Sequence, residues 1–263
     1  MKCEFFIPTW NSEHTLEQCL QSIKNNSATA KIIIVDRFSR DNTIKIAEKF
    51  NCEVHQSNEN IGETRTTMIK LANTEFMVMV DSDTYLSFTW LNDMLSWFKT
   101  IKKNDSTVAG LFGENIPLYE PYHKYMLWSR QNRKYPLKNS RRLLTCNLFL
   151  ETRKVKGFQT DFPIYEDWLL GEYLKASGHS FYVVPVYARH DAYQSWNEIK
   201  KHCRWAGAGN RVVAKKPLWK MLAGLLYFPF LKTPTPFKLF AFKLQWNWLI
   251  GWWKSQKYME LKR

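Results

Sequence analysis

The segment Phe76-Met77-Val78-Met79-Val80-Asp81-Ser82-Asp83 decides how this chain is read. Five consecutive apolar residues predict a strand buried on both faces, as in a parallel sheet. The run then stops on two carboxylates separated by one serine. Ligands of open α/β sheets bind beyond the carboxyl ends of the strands, so a site is expected here. Side chains two apart on an extended segment point to the same side. Asp81 and Asp83 could therefore address one hard cation, Mg²⁺ or Mn²⁺. On this segment alone an Asp-rich turn is an equal alternative, because Asp and Ser favour turns.

Working outward, Glu4–Ile7 reads as a first strand closed by Pro8. A helix follows, with Ser12 as N-cap and Leu16, Cys19, Leu20 and Ile23 on one face. Lys31–Asp36 is a second strand, again ending on Asp, and a short helix capped by Asp41 runs to Phe50. Glu53–His55 is a third strand, and Glu63–Ala72 a helix leading into the opening segment. Alternating strands and helices with short links are the pattern of an α/β sheet. Further on, Phe88–Lys102 reads as a helix, and Val108–Phe112, Leu143–Leu150 and Ser180–Val184 as strands. Glu166-Asp167 opens a helix ending at Gly178. The basic stretch Tyr119–Arg142 is expected to be a substrate loop or lid.

The bulk composition is that of a globular protein: 263 residues, 45% hydrophobic and 24% charged. Its net charge of +14 calls for an anionic partner such as nucleotide phosphate, nucleic acid or an acidic membrane. Five scattered cysteines without a C-x-x-C pair argue against a disulfide framework or zinc site and fit a reducing cytosol. Pro8 cuts the N-terminal apolar stretch too short for a signal peptide.

From His190 onward, 14 Lys and Arg face 3 Asp and Glu, and seven of the 12 Trp are found here. The apolar runs Met221–Leu231 and Leu244–Trp253 are only 11 and 10 residues, well short of the roughly 20 that span a bilayer. Basic and aromatic residues enriched together read as in-plane interfacial helices on an anionic membrane surface. The alternative is core helices whose lysines face water. Residues 191–263 are thus expected to form a membrane-associating helical region behind a domain at 1–190. That domain divides into a nucleotide-binding half, about 1–105, and an acceptor half, about 106–190.

Five motifs now stand in order: Pro8-Thr9-Trp10-Asn11; Val35-Asp36 with Ser39, Asp41 and Thr43; Asn60-Ile61-Gly62 with Arg65; Asp81-Ser82-Asp83; and Glu166-Asp167. In that order the chain resembles the family 2 inverting glycosyltransferases over roughly residues 4–205. The resemblance implies a GT-A fold: a Rossmann-like mixed sheet flanked by helices, here followed by C-terminal amphipathic helices. It further implies that Pro8, Thr9, Asn11 and Asp36 hold the base and ribose of a nucleoside-diphosphate sugar. Arg65 would lie near the diphosphate or make a surface ion pair. Asp83 would ligate the metal, with Asp81 and Ser82 on the ribose side and Asp81 also reaching the metal. Asp167 matches the family's general base, and Glu166 would orient the acceptor. His190 is a candidate third metal ligand and Arg204 a diphosphate contact. Lys201 stands where processive members carry Gln, so polymerisation is not expected. Arg37, Phe38 and Asn42 depart from the family pattern and leave UDP, GDP and dTDP donors open.

The expectation is a metal-dependent enzyme, cytoplasmic and peripheral to the membrane, that moves one sugar to a lipid-linked saccharide. A polyprenyl (dolichyl) phosphate is the alternative acceptor. A basic nucleic-acid-binding protein is the alternative of another class, but no nucleic-acid motif is present and the charge lies among apolar runs. A catalytically idle tether is disfavoured by the intact Asp83 and Asp167.

Overall fold

A computed structural model describes residues 2–131, 133–139, 142–191, 194–227 and 232–255. The end of the Met221–Leu231 run and the last eight residues of the basic tail lie outside the described residues.

Parallel strands β1 (Cys3–Thr9), β2 (Lys31–Asp36), β3 (Glu53–Gln56) and β4 (Phe76–Val80) alternate with helices α1 (Leu16–Asn26), α2 (Thr43–Lys49) and α3 (Ile61–Leu71). After β4 come β5 (Thr84–Leu86), α4 (Trp90–Asn104), β6 (Val108–Pro117), α5 (Glu120–Arg130), β7 (Leu137–Lys138), β8 (Asn147–Glu151), α6 (Glu166–Ala176) and β9 (Ser180–His190). These strands join one sheet in the order β3-β2-β1-β4-β8-β6-β9-β5, with β7 on β9. The second half is mixed: β8 runs antiparallel to β4 and β6, whereas β9 runs parallel to β6.

The buried pattern on β4 shows why the sheet holds. Phe76, Val78 and Val80 pack into the layer of α1 and α4, and Met77 and Met79 into the layer of α3 and α6. Every β4 side chain is thus withdrawn from water, as an unbroken apolar strand requires. Phe76 stacks on Phe149 of β8 with centroids 4.7 Å apart, tying the two halves together.

Several local expectations are corrected. Helix α1 begins at Leu16 rather than after Ser12; Ser12 accepts the amides of Thr15 and Leu16 with its carbonyl while its hydroxyl meets Ser82. The residue ahead of α2 is Asn42, and Asp41 instead accepts from Thr43 and from the amide of Glu13. Asn60 caps α3 in a reciprocal box with Glu63. The stretch Tyr119–Arg142 is no open loop, because it contains α5 and β7.

Helices α7 (Trp196–Val212), α8 (Leu218–Leu226) and α9 (Lys238–Trp253) close the chain. Helix α9 packs on α7 at backbone distance: a Cβ at Gly251 would fall 1.7 Å from the carbonyl oxygen of Arg204, and one at Gly207 1.9 Å from that of Trp248. Arg211 donates to the terminal carbonyls of α9 and stacks on Trp252. The outer face of α9 is not polar as an amphipathic helix would have it. Leu239, Trp246 and Trp253 are exposed there, and Leu222 of α8 lines a shallow apolar pocket with Trp246 and Trp253. Among the described residues no helix is long and apolar enough to cross a membrane.

Gly251→Val should destabilise the fold by about 1–3 kcal/mol through overpacking. A lowered melting temperature with an early tryptophan-fluorescence change would check it.

Candidate active site

The ends of β1, β2 and β4 and the start of α3 surround a cleft of about 730 Å³ at the carboxyl edge of the sheet. Pro8, Thr9, Arg37, Arg65, Ser82 and Asp83 are among its walls. At its rim Trp10 is 62% exposed, with the Arg37 guanidinium 5.4 Å from its ring centroid. An exposed indole beside a cation offers a flat stacking surface for a base.

Asp36 is fully buried and spent inside the protein. It accepts from Thr9 Oγ1 at 2.8 Å, Ser39 Oγ at 2.5 Å, the Ser39 amide at 2.8 Å and Gln56 Nε2 at 3.2 Å. These four bonds use the capacity of a carboxylate. In this arrangement Asp36 shapes the cleft wall and presents no free lone pair to a base. Asn11, at φ 50°, is likewise engaged within the protein, donating its amide to Ser39 Oγ and accepting the Arg40 amide with Oδ1, and does not line the cleft. Phe38, also at φ 50°, is turned outward and is 54% exposed.

The pairing of β5 with β9 sets Thr84 opposite His190 and brings His190 Nε2 to 3.2 Å from Asp83 Oδ1. Burial works to lower the His190 pKa, but the adjacent Asp83 outweighs it and holds the imidazole above its ordinary value. Burial works to raise the pKa of Asp83, and His190 outweighs that in turn and holds it down. Ligating atoms of Asp81, Asp83 and His190 all lie within 4.8 Å of one another. Two carboxylates and an imidazole form a donor set that fits Mn²⁺ and, through the oxygens, Mg²⁺.

Arg65 makes no surface ion pair: it is 2% exposed, and its Nη2 binds Asp81 Oδ1. Burial opposes its charge, yet Asp81 and then Glu166 reverse the balance and raise its pKa. Asp81 therefore faces the cleft with one oxygen already held from behind.

Glu166 and Asp167 open α6 behind Tyr165, whose φ of 62° lies in the left-handed region. The Tyr165 ring occupies space that a side chain at Gly209 of α7 would take, and Arg142 lies 4.1 Å from its centroid. Arg142 grips Asp167 Oδ2 with Nε and Nη2, both at 2.7 Å. Glu166 is 5% exposed, and its Oε2 is buried without a hydrogen-bond partner. Burial, and then the charge of Asp167, pushes the Glu166 carboxyl up to about 7. Burial also raises Asp167, against the pull of Arg142. Since the arginine favours an ionised Asp167, the proton of the pair resides on Glu166.

A second cavity of about 420 Å³ lies on the far side of this pair, walled by α5, α6 and α7. Asp81, Glu166 and Trp205 line both spaces. Arg142, His202, Asn210 and Lys216 reach only the second.

Arg204 does not meet the expectation. It projects from α7 toward α9 and donates to Asn247 Oδ1 at 2.9 Å, lining neither space, because adjacent residues of a helix face different directions. Its neighbour Trp205 takes the place at the site. Sequence reasoning also passed over Trp10 and Arg142. Trp10 stood inside a recognised motif, whereas nothing marked Arg142 apart from the other basic residues of its stretch.

The Glycosyl transferase family 2 profile matches residues 4–159, more than half of the chain. The Glu166-Asp167 pair and the terminal helices lie beyond that match. A poly(ribitol-phosphate) beta-glucosyltransferase of Bacillus spizizenii is 31% identical over 133 residues, 44% of this chain and 20% of that protein. The poly(ribitol-phosphate) beta-N-acetylglucosaminyltransferase TarS of Staphylococcus aureus is 33% identical over 132 residues, 44% of this chain and 22% of that protein. The matches thus cover about a fifth of the length of these curated relatives. Among solved structures, S. aureus TarS 1–349 with UDP-GlcNAc has a TM-score of 0.57 at 17% identity over 98% of this chain and 82% of that one. The mannosyltransferase PcManGT of Pyrobaculum calidifontis with GDP-Man and Mn²⁺ has a TM-score of 0.62 at 14% identity, covering 98% and 72%. These likenesses bear out the GT-A fold.

Arg65→Met should cost about 3 kcal/mol, the low end for breaking a buried pair because Asp81 is itself open to the cleft. Urea unfolding would measure it, and Arg65→Lys should recover part of the loss.

Proposed function

The chain belongs to glycosyl transferase family 2, and from that premise we propose that it transfers one sugar from a nucleoside-diphosphate sugar to a hydroxyl of a lipid-linked saccharide, inverting the anomeric carbon. The observation carrying this reading is that Glu166 lines both the cleft and the second cavity. A donor seated in the first and an acceptor in the second would meet at one carboxylate. The relatives named for poly(ribitol-phosphate) support a hydroxyl acceptor over a polyprenyl phosphate, which would need little help from a base.

Trp10 and Arg37 hold the base by stacking, and Asp36 keeps that wall in place through Thr9 and Ser39. Asp81, Asp83 and His190 would hold Mg²⁺ or Mn²⁺, which when bound neutralises charge on the diphosphate. Arg65 fixes Asp81 from below. The proton of the attacking hydroxyl passes to the Glu166–Asp167 pair. The family position is Asp167, but its Oδ2 is held by Arg142, and the oxygen free to accept is Glu166 Oε2. That favours Glu166 as the base and Asp167 as the residue that keeps Arg142 and α6 in register.

Association with the cytoplasmic face of a membrane is part of the proposal. It is supported by the exposed Trp219, Trp246 and Trp253 among the lysines of the terminal helices.

Donor-induced thermal shifts across UDP-, GDP- and dTDP-sugars, with and without Mn²⁺, test the reading. One donor class should stabilise the protein only with metal, and Asp83→Asn should lose that shift. No stabilisation by any donor would refute it.

Glu166→Gln should lower kcat by about a hundredfold or more and leave donor binding intact. In the wild type, kcat/KM should rise with pH through about 7 as Glu166 loses its proton, and the acid limb should vanish in the variant. If Asp167→Asn abolishes the limb and Glu166→Gln does not, Asp167 is the base.

A further inference from the structure

Among the described residues four acids line the donor cleft: Glu59, Asp81, Asp83 and Glu166. Arg65 holds Asp81, His190 pairs with Asp83, and Glu166 also faces the second cavity. Glu59 carries none of these ties. Its place is set by the sheet. Gln56, the last residue of β3, stands opposite Asp36 in the parallel pairing and donates to that carboxylate with its side chain. The next amide, that of Ser57, donates to the Asp36 carbonyl at 2.9 Å. The segment leading to Glu59 is thereby pinned to the end of β2. Val35 and Arg37, on either side of Asp36, line the cleft, and Asp36 does not.

One oxygen of Glu59 is committed, because Thr67 Oγ1 of α3 donates to its Oε1 at 2.8 Å. A carboxylate just ahead of a helix also suits the helix dipole, and a purely structural role would end there. Oε2 is what that role leaves unexplained. The atom is buried and accepts no hydrogen bond among the described residues. A buried polar atom without a partner is costly, and an ionised carboxylate can only accept. Its partner must therefore bring an N–H or O–H. The motif residues nearby cannot serve instead. Asp36 is saturated, and Asn60 spends its Oδ1 on the amides of Gly62 and Glu63 and its Nδ2 on the carbonyl of Asp161.

We propose that Glu59 selects the nucleobase of the donor, accepting through Oε2 the ring N–H of a base stacked at Trp10. The inference rests on the cleft being the nucleotide-sugar site. Uracil and thymine carry that proton on N3, and guanine carries it on N1. Cytosine N3 and adenine N1 are lone pairs instead, which a carboxylate repels. An aromatic face together with hydrogen bonds to the Watson–Crick edge is how enzymes read a single base. CDP- and ADP-sugars are thus rejected by the same atom that accepts the others.

The test is calorimetric titration of the whole chain, with Mn²⁺, against UDP, dTDP, GDP, CDP and ADP. At least one of the first three should bind about tenfold or more tighter than CDP and ADP. Methylation of its ring nitrogen, as in 3-methyl-UDP or 1-methyl-GDP, should remove that advantage. Glu59→Gln keeps an oxygen for Thr67 and adds an N–H that can meet the lone pair of cytosine. The variant should lose roughly tenfold for the preferred nucleotide and gain for CDP, so that the preference flattens. A structural role alone would lower the melting temperature and leave the ratio of affinities untouched. The proposal is overturned if Glu59→Gln leaves that ratio unchanged, if the methylated nucleotide binds as its parent does, or if CDP or ADP binds best. An equal loss for parent and methylated nucleotide on Glu59→Gln points to a ribose hydroxyl and overturns it too. Failure of every nucleotide to bind sinks the donor-cleft reading and this inference with it, whereas binding with a preference indifferent to Glu59 sinks this inference only.

Discussion

The interaction on which the site depends is the buried guanidinium of Arg65 against Asp81, with Glu166 close by. A cation removed from water must be balanced at short range, and this one sits beside Asp81 and Glu166, which line both the cleft and the second cavity. Around it the charges do not cancel. Asp81, Glu166 and Asp167 face two arginines, of which buried Arg65 takes Asp81 and half-buried Arg142 takes Asp167. Glu166 is the acid left over. Its raised pKa and its unpartnered Oε2 follow from that count, and both are properties a base near neutral pH requires.

Backbone geometry places that balance. Parallel pairing ends β1, β2 and β4 at one edge, and the antiparallel β5–β9 pair returns His190 to Asp83. The terminal helices are part of the same structure. Gly209 admits the Tyr165 ring, which stacks on Arg142, which grips Asp167. Since Gly207 of the same helix lets α9 approach, the position of α9 is linked by contact to the start of α6. A region read from composition as a membrane-associating appendage thus also forms walls of the second cavity.

The fold was legible where chemistry is periodic. The unbroken apolar strands, the carboxylates at their ends and the order of five motifs were enough for a mixed α/β sheet and its active edge. What could not be read was which lone pairs are already spent. Asp36 is saturated by Thr9, Ser39 and Gln56, contacts set by loop conformations with residues at positive φ that no linear pattern encodes. Arg204 was placed by its motif, but the rotation of α7 decides its direction and gives the site to Trp205. Arg142 was invisible because its importance arises only when β8 and α6 bring it against Asp167. Which strands of the second half run antiparallel was equally hidden, since the direction of β8 depends on how α5 and β7 fold back.

One carboxylate, Glu166, stands between two spaces and is left without an arginine. Were Glu166 paired like its neighbours, an entering hydroxyl would have to displace an arginine before losing its proton. Leaving it unpaired costs stability, because a buried carboxyl then keeps its proton or bears an uncompensated charge. That cost is contained by neutrality: at rest the proton sits on Glu166, and the buried site holds no net excess of anions. Deprotonation becomes favourable when positive charge enters the adjoining cleft, where Asp81 and Asp83 are aimed. On the proposed reaction, the acid of α6 would then respond to a cation held by Asp81 and Asp83.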